Sequence, residues 1–193
     1  MRLLISAFTP ELGSLAGDPP PGWKTATVGV GAVSAAAATA LLLTEDRPQG
    51  VVFLGSCGAY DERLPMGTFL SVEEVIASSL AEVRGEAYRP EIERVRWVPS
   101  MKLPFEGWKV VVPPAITRSP EGARDLARLG AAEHLELSGV FAACELAGVP
   151  CGAALVVVNE VGPEAHAQWK ASHAKGSQGL IAALMASGFF ETE

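Results

Sequence analysis

Polar residues able to do chemistry stand at the ends of apolar runs. Glu11 follows residues 3–7 and Pro10, Ser56 sits in Gly55-Ser56-Cys57-Gly58-Ala59 after residues 51–54, and Asn159 and Glu160 follow residues 153–158. Glu136 lies just ahead of a further apolar stretch, residues 137–147. A strand ending in small residues lets backbone approach a ligand closely and presents N–H groups, here with the Ser56 hydroxyl, to a sugar or an anion. An asparagine amide offers both a donor and an acceptor. Each residue also has a plain structural reading: glycines for a tight turn, Glu11 as a first-turn acid, Glu136 beside a helix dipole, Asn159 at a strand end. His134, His166 and His173 are not spaced with the cysteines as convergent ligands, so no metal site is predicted. No histidine is placed by the sequence to activate Cys57, which reads as packing.

The elements that must position these residues follow a βαβ pattern. Residues 3–7 read as a first strand buried on both faces, and a loop through Pro19-Pro20-Pro21-Gly22 leads to a second strand at 25–30. The Ala-rich run 34–43 has high helix propensity and almost no polar face, so a buried helix is expected. The strand at 51–54 then implies a parallel, right-handed crossover. Further strands are predicted at 68–76, 110–112 and 153–158, and helices starting at Ser119-Pro120, over 137–147 before Gly148 and Pro150, and over about 180–185. Residues 82–104, rich in arginine, glutamate and proline, read as a solvated excursion. Neither repeats nor a linker divides residues 1–193, which are expected to form one α/β domain.

Composition narrows the function. The formal charge of -7 leaves no basic excess for nucleic acid or an anionic membrane, so a small-molecule substrate is expected. The three cysteines are odd in number, two of them in apolar stretches, which points to reduced thiols and a cytoplasmic location. The opening apolar run is too short for a signal peptide core, and no stretch reaches the roughly 20 apolar residues of a membrane span.

Three of these segments, in order, resemble the purine nucleoside phosphorylase and nucleosidase family. They are Val28-Gly29-Val30-Gly31-Ala32-Val33 on to Gly55-Ser56-Cys57-Gly58-Ala59, then Glu133-His134-Leu135-Glu136, then Val157-Val158-Asn159-Glu160-Val161-Gly162 with Trp169. The resemblance covers about residues 1–80 and 108–187, and implies a mixed β-sheet flanked by helices. It implies that Glu136 accepts hydrogen bonds from ribose hydroxyls, with Leu135 where a methionine packs on the sugar. It places Glu11 on a water-activating glutamate, Asn159 where adenosine-type nucleosidases carry an acid, and Phe8, Ser56, Gly58 and Ile116 among the substrate contacts. Glu160 becomes the proton donor if the register slips by one.

An Asn followed by x-Val and a later Trp is similar to the futalosine hydrolases, which release hypoxanthine. An amide suits the N7 and O6 edge of a 6-oxo purine, whereas an acid can protonate N7 of a 6-amino purine. Phosphorylases with Gly-Ser-Cys-Gly-Ala carry an arginine where this chain has Phe53, and losing a guanidinium removes bidentate bonds to phosphate. Water is therefore the expected nucleophile, with no cofactor. The alternatives are a methylthioadenosine or adenosylhomocysteine nucleosidase, a phosphorylase, or an inactive nucleoside-binding homolog, since Leu155 and Val158 replace an arginine and a serine common in the family. The chain is shorter than usual for the family, so a homodimer or higher homo-oligomer in which a partner completes the pocket is also expected.

Overall fold

Strictly alternating burial organises the centre of the protein. In the computed structural model, which describes residues 1–191, Leu3, Ile5, Val51 and Phe53 pack on one side of the central strands, and Leu4, Val52 and Leu54 on the other. Successive side chains of a strand point to opposite faces, so strands that are apolar at every position must be covered on both. The strands are β1 (Arg2–Ser6), β2 (Trp23–Thr27), β3 (Val51–Ala59), β4 (Phe69–Ala77), β5 (Arg96–Trp97), β6 (Gly107–Val112), β7 (Ala132–Glu133) and β8 (Cys151–Glu160). They join one mixed sheet in the order β2-β1-β3-β7-β6-β4-β5, with β8 bonded to both β3 and β4. The path β3-β8-β4-β6-β7 thus returns to β3 and closes on itself. β1, β2, β3 and β8 run parallel, while β4 meets β8, and β7 meets β3, antiparallel.

Helices cover both faces. They are α1 (Ala32–Asp46), α2 (Leu80–Val83), α3 (Pro120–Leu126), α4 (Leu137–Ala147) and α5 (Ala165–Ala186). α1 packs on α4, and α5 packs on β8 and on the 3-10 segment Thr9–Ala16. Ser119 caps α3 by accepting the Gly122 N–H, with Pro120 in the first turn. Gly148, at φ 66°, ends α4.

Four expectations are corrected. β2 starts two residues earlier than predicted and ends at Thr27, because Gly29 and Gly31 belong to a turn at φ 81° and 88°. α1 is not a buried helix: Ala35, Thr39 and Leu43 form one inward stripe, while Val33 is 86% and Leu41 63% exposed. α5 extends fifteen residues upstream of the apolar run that predicted it, because its first half carries exposed Lys170 and Lys175 among few buried positions. Within the polar stretch 82–104, β5 adds to β4 and buries Trp97, whose indole N–H donates to Glu145 on α4.

The α1–α4 contact depends on Gly139. A Cβ there would collide with the Ala32 carbonyl oxygen and lie 3.0 Å from the Ala36 nitrogen, backbone atoms that cannot rotate away. Gly139→Ala should therefore destabilise the fold by about 1–3 kcal/mol despite its better helix propensity. Thermal unfolding checks this, with a fall of about 2–4 °C in Tm per kcal/mol expected for a chain of this size.

Candidate active site

Where β1, β3 and β8 end, loop backbone and helix starts surround a cavity of about 440 Å³. After β1, Ser6 Oγ donates to the Phe8 carbonyl and Pro10 opens the 3-10 segment, which turns Glu11 inward. Glu11 is buried against the end of β3. Its Oε1 accepts the Ser56 N–H at 2.9 Å and the Ser56 hydroxyl at 2.7 Å, while its Oε2 is buried near the Ala7 backbone and makes no well-formed hydrogen bond among the described residues. Burial pushes the carboxyl up to about 7; the Ser56 bonds oppose this, and the nearby Glu136 charge adds to it. The Ser56 hydroxyl also accepts the Trp169 indole N–H at 3.3 Å, tying β3 to α5.

Glu136 stands at the start of α4 and reaches back to the glycine turn. Its Oε1 accepts the Gly31 N–H at 2.7 Å, so this Gly-x-Gly backbone already holds a carboxylate of the protein itself. His134 Nδ1 accepts the Glu136 N–H, and burial holds the imidazole below its ordinary value. The 3.2 Å approach of that nitrogen to Glu136 Oε2 is therefore not an ion pair.

Asn159 reaches the cavity through a bulge. Cys57 pairs with Val157 but Gly58 with Asn159, leaving Val158 as the extra residue. An unbroken register would have set Asn159 opposite Ala59 and on its face; the bulge sets it on the face of Gly58. A Cβ on Gly58 would lie 2.6 Å from Asn159 Nδ2, so the glycine makes room for the amide. Nδ2 donates one hydrogen to the Glu160 carbonyl, which leaves its second hydrogen and Oδ1 for a ligand.

Of the residues expected from sequence, Glu11, Ser56, Gly58, Leu135, Glu136, Asn159, Phe8 and Ile116 line this one cavity. Glu160 does not: the last residue of β8, it is exposed and lies outside the cavity lining, so the expectation of Glu160 as proton donor is not matched by its place. Leu155 and Val158, at 0% and 1% exposure, belong to the two cores rather than the cavity. Cys57 lines the cavity, but burial pushes its thiol up, which suits packing rather than attack.

Sequence reasoning missed Thr117, Glu133, His134 and His166. Glu133 Oε2 accepts the Tyr60 hydroxyl at 3.1 Å and its Oε1 the Thr117 N–H at 3.0 Å; it carries no periodic signal because β7 has two residues. An aromatic wall was readable: His166, Trp169 and His173 recur at helical spacing, and Trp169 stacks on His173 at 4.2 Å and more loosely on His166 at 6.1 Å. Among the described residues, three carboxylates and no lysine or arginine line the cavity. Among the described residues, no group of three or more histidine, cysteine, aspartate or glutamate side chains could hold a metal ion, and no helix is long and apolar enough to cross a membrane.

The family model of the phosphorylase superfamily matches residues 24–134, more than half of the chain. The chain belongs to the phosphorylase superfamily. Its fold is similar to that of futalosine hydrolase from Helicobacter pylori strain 26695, with 17% identity, a TM-score of 0.84, and 99% of this chain and 97% of that one covered. It is also similar to 5'-methylthioadenosine/S-adenosylhomocysteine nucleosidase from Helicobacter pylori in complex with butyl-thio-DADMe-Immucillin-A, at 17% identity, a TM-score of 0.82 and 99% and 98% coverage. The corresponding Neisseria meningitidis nucleosidase, in complex with methylthio-immucillin-A, has 17% identity, a TM-score of 0.78 and 96% and 98% coverage. No curated protein matches by sequence. The superfamily match spans the glycine turn and β3 and ends at His134, so Glu136 and Asn159 lie beyond it.

A carboxyl raised from 4.5 to about 7 gives this superfamily member a stability signature. The folded state binds the Glu11 proton more tightly than the unfolded chain, so this contribution is full below pH 4.5 and lost as pH rises through about 7. Holding the ionised form in the fold at pH 8 costs about 3 kcal/mol. Glu11→Gln should therefore melt above the parent at pH 8, with the advantage shrinking towards pH 4.5. Melting curves across that range check it, and a pH-independent difference would mean an ordinary carboxyl.

Proposed function

We propose that the chain hydrolyses the N-glycosidic bond of a purine nucleoside with a 6-oxo base, futalosine being the first candidate. The observation that carries this reading is the buried Glu11, whose Oε2 makes no well-formed hydrogen bond, in a cavity that no lysine or arginine among the described residues lines. A base with a value near 7 is about half ionised at neutral pH and takes a proton from water readily. The water oxygen bonds to C1' as the bond from C1' to the base breaks, its electron pair goes to the purine, and Glu11 takes the proton. Glu136 Oε2 accepts from ribose hydroxyls and steadies the oxocarbenium-like sugar. The Asn159 amide donates its remaining Nδ2 hydrogen to N7 of the departing base.

Phosphate is a poor nucleophile for this site. The position of the expected arginine is Phe53, 0% exposed with its ring edge-on to His134 at 5.0 Å, and the glycine turn that could cradle an anion is held by Glu136. A second reading, cleavage of methylthioadenosine or adenosylhomocysteine, has the support of the similar nucleosidases but needs an acid for N7, and Glu160 is out of reach. Exposed Val30 and Ile116 at the cavity mouth and Val33 and Leu41 on α1 support the expected homo-oligomer.

Purified protein should release hypoxanthine from futalosine at the same rate with and without phosphate, and Glu11→Gln should lose about a hundredfold in turnover while still binding substrate. Formation of a sugar 1-phosphate would reverse the choice of nucleophile. For the base, kcat/KM should favour 6-oxo over 6-amino nucleosides by at least about tenfold, because a neutral amide at Asn159 cannot act as the acid that protonates N7 of a departing adenine. Asn159→Asp should shift that preference towards adenine nucleosides; an unchanged ratio would mean that Asn159 does not read the base.

A further inference from the structure

Resting on the reading of Glu11 as the base, we infer that Trp169 is a positioning residue: its indole N–H orients the Ser56 hydroxyl, which holds Glu11 Oε1 and leaves Oε2 to meet the attacking water. The indole donates to Ser56 Oγ at 3.3 Å, and Ser56 Oγ donates to Glu11 Oε1 at 2.7 Å. An indole nitrogen is a donor only, whereas a hydroxyl both donates and accepts. With the indole on one of its lone pairs, the hydroxyl cannot turn its hydrogen towards α5. The chain therefore runs one way, from Trp169 through Ser56 to Glu11. The Ser56 N–H bonds the same carboxylate oxygen at 2.9 Å, so both Ser56 donors gather on Oε1. A carboxylate held in this way cannot exchange its two oxygens by turning without breaking both bonds.

Packing alone does not account for this bond. Trp169 is half-buried at the cavity wall, on the half of α5 that has few buried positions. Water can satisfy an indole N–H at such a place, so the need for a partner does not explain why Ser56 is the acceptor. The ring is fixed by stacking on His173 at 4.2 Å, with planes 17° apart, and by a tilted contact with Phe8 at 5.9 Å. Phe8 opens the 3-10 segment that carries Glu11, so both ends of the chain are set against each other. A hydrogen bond received by a hydroxyl strengthens the one it donates. Trp169 thereby favours ionised Glu11, in the same direction as the Ser56 bonds and against burial. The other titratable groups around the chain are Glu133, His134 and Glu136 across the cavity, Cys57 beside Ser56, and His166 and His173 beside the indole.

The test follows the Glu11 carboxyl itself, by NMR titration of protein labelled with carbon-13 at glutamate Cδ, the signal being assigned by its loss in Glu11→Gln. Trp169→Phe keeps a ring against His173 and removes the donor, and it should raise the Glu11 midpoint by about 0.2–0.5 of a pH unit. Ser56→Ala should raise it further, and in that background Trp169→Phe should add nothing. For futalosine, Trp169→Phe should lower kcat/KM about twofold to threefold at about pH 6, and leave it near that of the wild type at about pH 8. An unmoved midpoint in Trp169→Phe would overturn the inference. An equal shift with and without the Ser56 hydroxyl would overturn it as well, by showing that Trp169 does not act through Ser56. A shift that depends on Ser56 but leaves the rate at about pH 6 unchanged would show that Glu11 is not the base. That result would overturn the reading on which the inference rests, and the inference with it.

Discussion

The parallel pairing of β3 with β8, and the single bulge that interrupts it, is the constraint on which the site depends. Up to Cys57 and Val157 the two strands run in strict register, both apolar at almost every position and covered on both faces. That buried pair fixes where β3 ends, and hence where Ser56 meets Glu11. The bulge then lets one residue change sides. Asn159 would otherwise share the face of Ala59, a core position, and instead lies over Gly58 in the cavity. Bulges next to functional sites commonly re-aim a side chain in this way. The price is one unpaired residue, Val158, which recovers it by packing among the apolar side chains beneath α5.

The cavity is built by carboxylates that are each held by donors rather than by cations. Glu11 has the Ser56 amide and hydroxyl, Glu136 the Gly31 amide, and Glu133 the Thr117 amide and the Tyr60 phenol. Amide donors stabilise a charge in place without cancelling it, so it remains available to act on a ligand. Arginine partners would have lowered the carboxyls and offered an anion a binding site. None of these lines the cavity among the described residues, which is consistent with the proposed attack by water.

Much of the architecture was legible in the sequence because the signals were local. The apolar runs gave β1, β3 and β8, Ser119-Pro120 gave the start of α3, and Gly148 the end of α4. The short strands were not legible: β5 and β7 have two residues each and exist only because longer neighbours offer them an edge. α1 misled because an Ala-rich helix looks the same in sequence whether one face or all of it is covered. At the site, Glu11, Ser56, Glu136 and Asn159 could be named because the segments that resemble the family carry them, each beside an apolar run that fixes its place in the chain. Glu133 could not, because its position across Gly58 is a product of strand order. Which of Asn159 and Glu160 faces the cavity depended on the bulge, a register property that no count along one strand contains.

Charge conservation links these features during the proposed cleavage. Before the step, Glu11 carries a negative charge inside a cavity that already holds Glu136 and Glu133, and burial together with the Glu136 charge raises its value. As the bond to the base breaks, Glu11 takes a proton from water and becomes neutral while the purine takes up the electron pair. The total charge of the cavity does not change; one unit moves from Glu11 to the base. A cation fixed near Glu11 would hold that charge where it began and oppose the transfer. A neutral amide at Asn159 is the complementary choice at the other end, since it donates to the developing anion without adding a fourth carboxylate against which the anion would have to form.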